Sequence, residues 1–98
     1  MNIKIQSLKF NADQKLLDYV EKKVGKIQSK YDRVVDADVI LRLNNEGVEN
    51  KTVEIKLNLP GNQIFSKEDS NTFEKATDEA IQNLKRQLEK FKEKIRSH

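Results

Sequence analysis

The sequence predicts an α+β fold: the order β-α-β-β-β-α, a four-stranded mixed sheet, and two roughly parallel helices on one face of that sheet. Three observations predict it. Apolar residues alternate with polar ones in four short stretches, near residues 3–5, 35–43, 53–59 and 63–67. They recur at three- and four-residue steps in two longer stretches, 16–31 and 73–95. Between the last three strands lie the turn-forming clusters Asn44-Asn45-Glu46-Gly47 and Pro60-Gly61-Asn62.

Ile3 and Ile5 alternate with Asn2, Lys4 and Gln6 and make a first short strand. Asn11 followed by Gln14 resembles a capping box, so a helix is expected to start near Ala12 or Asp13. Leu16, Leu17, Val20, Val24, Ile27 and Tyr31 form one apolar stripe, which continues on both sides of Gly25. A single helix of about five turns is therefore expected. Val35, Ala37, Val39, Leu41 and Leu43 alternate with Asp36, Asp38, Ile40 and Arg42, and Val53, Ile55, Leu57 and Leu59 do so with Thr52, Glu54, Lys56 and Asn58. Each reads as a strand with one buried face. Gln63 to Lys67 is a shorter and weaker fourth strand. Ser70 or Asn71 is a candidate cap for the last helix, whose stripe is Phe73, Ala76, Thr77, Ala80, Leu84, Leu88, Phe91 and Ile95, with Ile81 alongside.

This order constrains shape. A strand, a helix and a strand should form a right-handed crossover with the two strands parallel. The next strands follow as an antiparallel meander. Tracing directions makes both helices run the same way, so their C-terminal halves share one end of the domain.

Composition removes whole classes of chemistry. The 98 residues suffice for one domain, taken as 1–98. There is no cysteine, and the one histidine is His98, so disulfides, cysteine-held metals and histidine-based catalysis are not expected. No catalytic residue, metal site or cofactor is assigned. Nothing approaches the ~20 apolar residues of a membrane span, and the N-terminus lacks a signal-peptide core. The expected setting is the cytoplasm, and the expected state a monomer. Asp36, Asp38 and Glu54 could pair for acid–base work, but a solvated sheet face with Arg42 and Lys56 as partners explains them as well. The glycines serve turns or, for Gly25, a helix, and none makes a phosphate loop.

The net charge of +3 is unevenly spread. Lys22, Lys23, Lys26, Lys30 and Arg33 face only Asp32 within 22–33, a net of +4. Lys85, Arg86, Lys90, Lys92, Lys94 and Arg96 face Glu89 and Glu93 within 85–96, again +4. Everything else sums to −5. At about 100° per residue, the cations of the first helix gather on one flank of its stripe. Asp18, Glu21 and Asp32 take the other flank. In the last helix Arg86, Lys90 and Lys94 line one flank, and Lys85, Lys92 and Arg96 the other. Cations at helix C-termini also complement the helix dipole and aid solubility. Two such ends converging point further, to a site for a polyanion: RNA or DNA, an acidic protein, or a membrane surface. No amphipathic segment is left to lie on lipid. Tyr31, Phe73 and Phe91 are core candidates, Phe10 is expected under the first helix, and Tyr19 lies off the stripe. No aromatic stacking platform is visible, so recognition of phosphate and shape is expected rather than base reading.

Several stretches together resemble the ribosome hibernation promoting factor family, which includes the ribosome-associated inhibitor also called protein Y. They are Leu17-Asp18-Tyr19-Val20-Glu21-Lys22-Lys23, Tyr31-Asp32-Arg33-Val34, Leu59-Pro60-Gly61, the run from Ala76 to Ala80, and Leu84-Lys85-Arg86-Gln87-Leu88-Glu89-Lys90-Phe91-Lys92-Glu93-Lys94. The resemblance covers nearly the whole chain. It implies a fold related to the double-stranded-RNA-binding domain, and binding to the small ribosomal subunit between head and body. There the messenger RNA path and the A- and P-site tRNAs would be blocked, stopping translation under stress or in stationary phase. Lysines and arginines of the two helices would contact ribosomal RNA phosphates. Lys23, Lys26 and Lys30 match the first-helix pattern, and Arg86, Lys90, Lys92 and Lys94 the last-helix pattern. The chain ends at His98, like short forms of the family, which promote ribosome dimers only together with a separate modulation factor in some bacteria. Phe65-Ser66-Lys67-Glu68-Asp69 is more charged than the family pattern leads one to expect. A stand-alone binder of structured RNA, acting off the ribosome, is the alternative reading.

Overall fold

The alternating stretches are strands and the periodic stretches are helices. In this computed structural model the order is β1 (Asn2–Leu8), α1 (Gln14–Lys30), β2 (Asp36–Leu43), β3 (Lys51–Leu59), β4 (Asn62–Ser70) and α2 (Phe73–Arg96). The structure describes residues 2–45 and 47–96, with side chains to Phe91. The sheet order is β1-β2-β3-β4. β1 pairs with β2 in parallel, from Asn2 opposite Asp36 to Leu8 opposite Arg42. The other two pairings are antiparallel, so the sheet is mixed as expected.

Register decides which side of each strand is apolar. Ile3, Ala37, Leu57 and Ile64 lie in one row across the sheet, and Ile5, Val39, Ile55 and Ser66 in the next. These rows meet the helix stripes in one core. Leu16, Val20, Val24, Ile27 and Tyr31 come from the α1 stripe, and Phe73, Ala76, Ala80, Ile81, Leu84 and Leu88 from α2. Both helices therefore cover the same face. α2 packs on β3 and β4, while α1 packs on β1 and against α2. Phe10 stacks on Phe73 with ring centroids 4.6 Å apart, joining the start of α1 to the start of α2.

The opposite face is polar and internally paired. Arg42 donates to Glu54 at 2.8 Å, Lys56 sits 3.8 Å from Asp38, and Asn58 donates to Asp36. This is the solvated charge ladder, with no third acidic ligand to make a metal site among the described residues.

Four local expectations need correction. The α1 cap is Asp13, not Asn11: its carboxylate accepts from the Leu16 N–H at 2.8 Å, one turn ahead. The α2 cap is Thr72, not Ser70 or Asn71, because the Thr72 hydroxyl accepts from the Lys75 N–H at 3.0 Å. β4 runs to Ser70 rather than stopping at Lys67, since β3 pairs with it along its whole length, ending at Lys51 opposite Ser70. Its charged residues are accommodated at the sheet edge, and Ser66 and Ser70 take buried places where apolar residues would have signalled a strand. Val35 lies just before β2 and is 55% exposed, so the buried run begins at Ala37. β4 is also an edge strand, and the Gln87 side-chain amide of α2 donates to its Phe65 carbonyl at 2.8 Å.

Candidate nucleic-acid interface

The direction of the helices is read from their contacts. The Tyr19 hydroxyl donates to Asp78 at 2.7 Å, and the Tyr31 hydroxyl donates to Glu89 at 2.6 Å. Twelve residues along α1 thus match eleven along α2. Only helices running side by side in the same direction do this. Their C-terminal halves share one end, and the two cationic blocks come with them.

Tyr19 also fixes which flank of α1 meets α2. At about 100° per residue it lies in the middle of the arc holding Lys23, Lys26 and Lys30. Since Tyr19 reaches α2, that basic flank is turned toward the seam between the helices. Lys22 points more directly outward. On α2, Asp78 and Glu89 mark the flank facing α1, and Lys85 lies on that flank. Arg86 points away from the sheet, and Lys90 leans toward the side where Gln87 reaches β4. The structure therefore brings Lys26, Lys30 and Lys85 to the seam, and leaves Arg86 and Lys90 on the outer and β4 sides of the same end. Arg33 is exposed just after α1. Lys92 and Lys94, also expected at this surface, lie outside the residues whose side chains are described.

The seam changes sign along its length. Its N-terminal half holds Glu74 and Asp78, and its C-terminal half the cations. Lys23 belongs to the acidic half in practice: its ammonium is 3.7 Å from Asp78 and 5.4 Å from the centre of the Tyr19 ring. Part of its charge is thus answered within the protein. Lys30 lies over the Tyr31 ring at 5.6 Å, which orients it without neutralising it. Among the described residues no ion pair or side-chain hydrogen bond holds Lys22, Lys26, Arg33, Lys85, Arg86 or Lys90, and all six are exposed.

Both tyrosines are acidified less readily than a free phenol. Tyr19 is pushed up from 10.0 to about 12, first by the hydrogen bond it donates to Asp78, then by burial and the negative charges of Asp78 and Glu74. Tyr31 is pushed up to about 12 by its hydrogen bond to Glu89, then by burial and that carboxylate's charge. Each phenol is a committed donor. Sequence reasoning missed these two bridges and the part played by Glu89. The signal available was Tyr19 lying off the apolar stripe within a basic flank.

Exposed, unanswered ammonium and guanidinium groups clustered at one end of a rigid pair of helices can neutralise phosphates. No described strand carries a row of exposed aromatic rings on which bases could stack, Phe65 being the one large exposed aromatic.

Comparison with known proteins gives a consistent picture. The family model described as Sigma 54 modulation protein / S30EA ribosomal protein matches residues 3–96. A ribosome hibernation promoting factor of Pseudomonas putida is 31% identical over 97 residues, covering 99% of this chain and 92% of that protein. A ribosome hibernation promotion factor of Bacillus subtilis is 30% identical over 95 residues, which is 97% of this chain but 50% of that protein. Among solved structures, a ribosomal subunit interface protein from Coxiella burnetii superposes with a TM-score of 0.84 at 27% identity, over 94% of this chain and 98% of that one. The protein Y N-terminal domain of Thermus thermophilus superposes with a TM-score of 0.79 at 29% identity, over 93% and 99% of the two chains.

Proposed function

The chain belongs to the Sigma 54 modulation protein / S30EA ribosomal protein family, and from that membership we propose that it is a ribosome hibernation factor working by occupation rather than chemistry. It binds ribosomal RNA of the small subunit at the decoding region with the joined C-terminal ends of α1 and α2. There it keeps messenger RNA and tRNA out of their sites while translation is idle, in the cytoplasm of stressed or stationary cells. The observation that supports this reading most directly is the in-register pairing of Tyr19 with Asp78 and Tyr31 with Glu89. It turns two basic blocks far apart in sequence into one surface. Lys22, Lys26, Lys30, Arg33, Lys85, Arg86 and Lys90 supply phosphate contacts, and Lys23 contributes after loosening from Asp78. Lys92 and Lys94 extend the same helix end. A separate modulation factor is the candidate partner for any ribosome dimerisation, with this chain acting as a monomer.

Sucrose-gradient sedimentation of stationary-phase extracts at low salt tests the reading. The protein should travel with small subunits or whole ribosomes and be shed as salt rises, because each phosphate contact releases condensed counterions. Protein found only at the top of the gradient overturns it. Competition separates ribosome binding from a general affinity for structured RNA. Purified small subunits should win over tRNA or a random duplex by at least about a hundredfold, on the order of 2.7 kcal/mol.

A further inference from the structure

The two-residue hairpin between β3 and β4 projects at the cationic end of the molecule. Leu59 pairs with Asn62 across it. Gly61 takes a φ of 72°, the left-handed conformation, and the Pro60 ring fixes the other turn residue. α2 runs back along β4 toward that strand's start, and its Gln87 amide donates to the Phe65 carbonyl at 2.8 Å. The hairpin, three residues before Phe65, therefore lies roughly 10 Å further along α2, past the level of Lys90. Register sets a distinct chemistry on the side of this hairpin turned away from the helices. Asn58 is opposite Gln63, and Lys56 is opposite Phe65. The Phe65 ring is 50% exposed, although Ile64 and Ser66 on either side of it are buried. Beside it lies an open recess lined by Asn58, Leu59, Gly61, Asn62 and Gln63. Its polar groups are set in place. Asn58 donates to Asp36 and Asp38. The Asn62 side-chain oxygen accepts the Gln63 N–H at 2.8 Å, which leaves the nitrogen end of that amide without a partner among the described residues. The exposed Gln63 side chain has none among them either.

We propose that this hairpin is a binding site for one unpaired nucleobase, with the Phe65 ring as the stacking surface and the Asn62 and Gln63 amides as the groups that meet the base edge. The proposal rests on the reading that the helix ends hold RNA, and deepens it with a contact of another kind. Cations of the seam meet backbone phosphate, which fixes position and carries no sequence information. The recess has the reverse composition. No charged side chain lines it, an aromatic face stands at its side, and its amides offer both donors and acceptors. That combination suits a base splayed out of a helix, which stacks on a ring and is hydrogen-bonded along its edges. A protein partner would be expected to cover a contiguous apolar patch, whereas Phe65 stands alone among Lys56, Asn58, Gln63 and Lys67. Lys67 is one pair further from the cationic end, opposite Glu54, and takes no part. An RNA strand held at the seam reaches the ring round the end of the sheet, at a nucleotide free to turn outward. A regular duplex has no such base to offer. One ring takes one base, so the site fixes where a folded RNA docks rather than reading a sequence.

The test compares the wild-type chain with Phe65→Ala, Phe65→Leu and Phe65→Tyr. The probes are purified small ribosomal subunits, an unstructured single-stranded RNA oligonucleotide of mixed sequence and a random-sequence RNA duplex, each across a salt series. Phe65→Ala should weaken binding to subunits and to the single strand by about tenfold, the loss expected for one stacked base, and leave duplex binding unchanged. Its salt dependence should keep the wild-type slope, because stacking releases no counterion. Phe65→Tyr keeps a ring and should bind as the wild type does, while Phe65→Leu, apolar without a π face, should behave like Phe65→Ala. All three should melt close to the wild type, since the ring is half exposed. Full affinity in Phe65→Ala, an equal loss for the duplex, or a flattened salt slope overturns the proposal. So does a Phe65→Leu variant that binds subunits as well as the wild type, which would make the side chain an apolar anchor for a ribosomal protein. Wild-type protein that binds the single strand but not subunits would instead overturn the ribosomal reading, and the single-strand series would still report on Phe65.

Discussion

The Tyr19 hydroxyl donates to a carboxylate oxygen of Asp78 at 2.7 Å, although 59 positions separate the two residues in the chain. That bond sits in the acidic half of the seam, and its counterpart from Tyr31 sits at the cationic end.

Replacing Tyr19 with Phe removes the donor and leaves Asp78 facing Lys23 alone. A loss of about 1 kcal/mol is expected, a drop of roughly 4–8 °C in melting temperature for a domain this size. Thermal unfolding followed by circular dichroism measures it. No change would mean that solvent replaces the bond at no cost.

Alkaline pH should act through the same two bonds. Both phenols ionise in the folded chain at about 12 rather than 10.0, so the unfolded state gives up these protons first. The stabilisation is complete below pH 10 and is lost as pH rises toward about 12. The chain has two tyrosines and no tryptophan, so phenolate absorbance reads them cleanly. Native protein should show both transitions near 12, and denatured protein near 10. Tyr19→Phe should leave the Tyr31 transition alone.

The cationic surface is tested with matched charge losses. Lys26→Ala with Lys85→Ala removes two exposed, unanswered cations from the seam. Lys4→Ala with Lys67→Ala removes two exposed cations from the far face of the sheet. The first pair should weaken subunit binding by about tenfold or more, ~1.4 kcal/mol, and flatten the salt dependence. The second should leave binding nearly intact. Both should retain wild-type stability within about 0.5 kcal/mol per site. A stronger effect from the sheet pair would move the docking surface to the other side of the molecule.

Gly25 offers a stabilising substitution. A Cβ added there meets nothing within 4 Å, and the helix runs unbroken through it. Gly25→Ala should raise stability by about 1 kcal/mol, seen as a higher denaturant midpoint with an unchanged slope.

The two helix caps should each be worth about 1 kcal/mol. Asp13→Ala and Thr72→Ala remove the acceptors for the Leu16 and Lys75 N–H groups. Asn11→Ala, which removes no cap, should be close to neutral in the same melting experiment.

Periodicity made most of the fold legible. The strict alternation from Ala37 to Leu41 and from Val53 to Leu59, and the stripe from Leu16 to Tyr31, each describe a surface with one apolar side, which has one physical solution. Element ends were less legible because Asn11, Asp13, Ser70, Asn71 and Thr72 are all good capping residues. Which of them caps depends on the path of the chain rather than on residue type. The length of β4 was hidden because Ser66 and Ser70 are buried where an apolar residue would have been the signal. The basic flank of α1 was readable from spacing, and so was the shared end of the helices. That Lys23 is engaged by Asp78, and that Arg86 and Lys90 lie outside the seam, depends on pairs 58 and 59 positions apart that no local pattern encodes.

The bond from Gln87 to the Phe65 carbonyl bears on a different hazard. β4 is nine residues long and lies at the border of the sheet, where unpaired backbone invites a strand from another molecule. A side chain of α2 already occupies that backbone near the middle of the strand. A neighbouring chain would have to displace it and draw its own strand past the exposed lysine at 67. The Gln87 side chain thus sets, on the side of the molecule away from α1, a guard against this chain polymerising with itself.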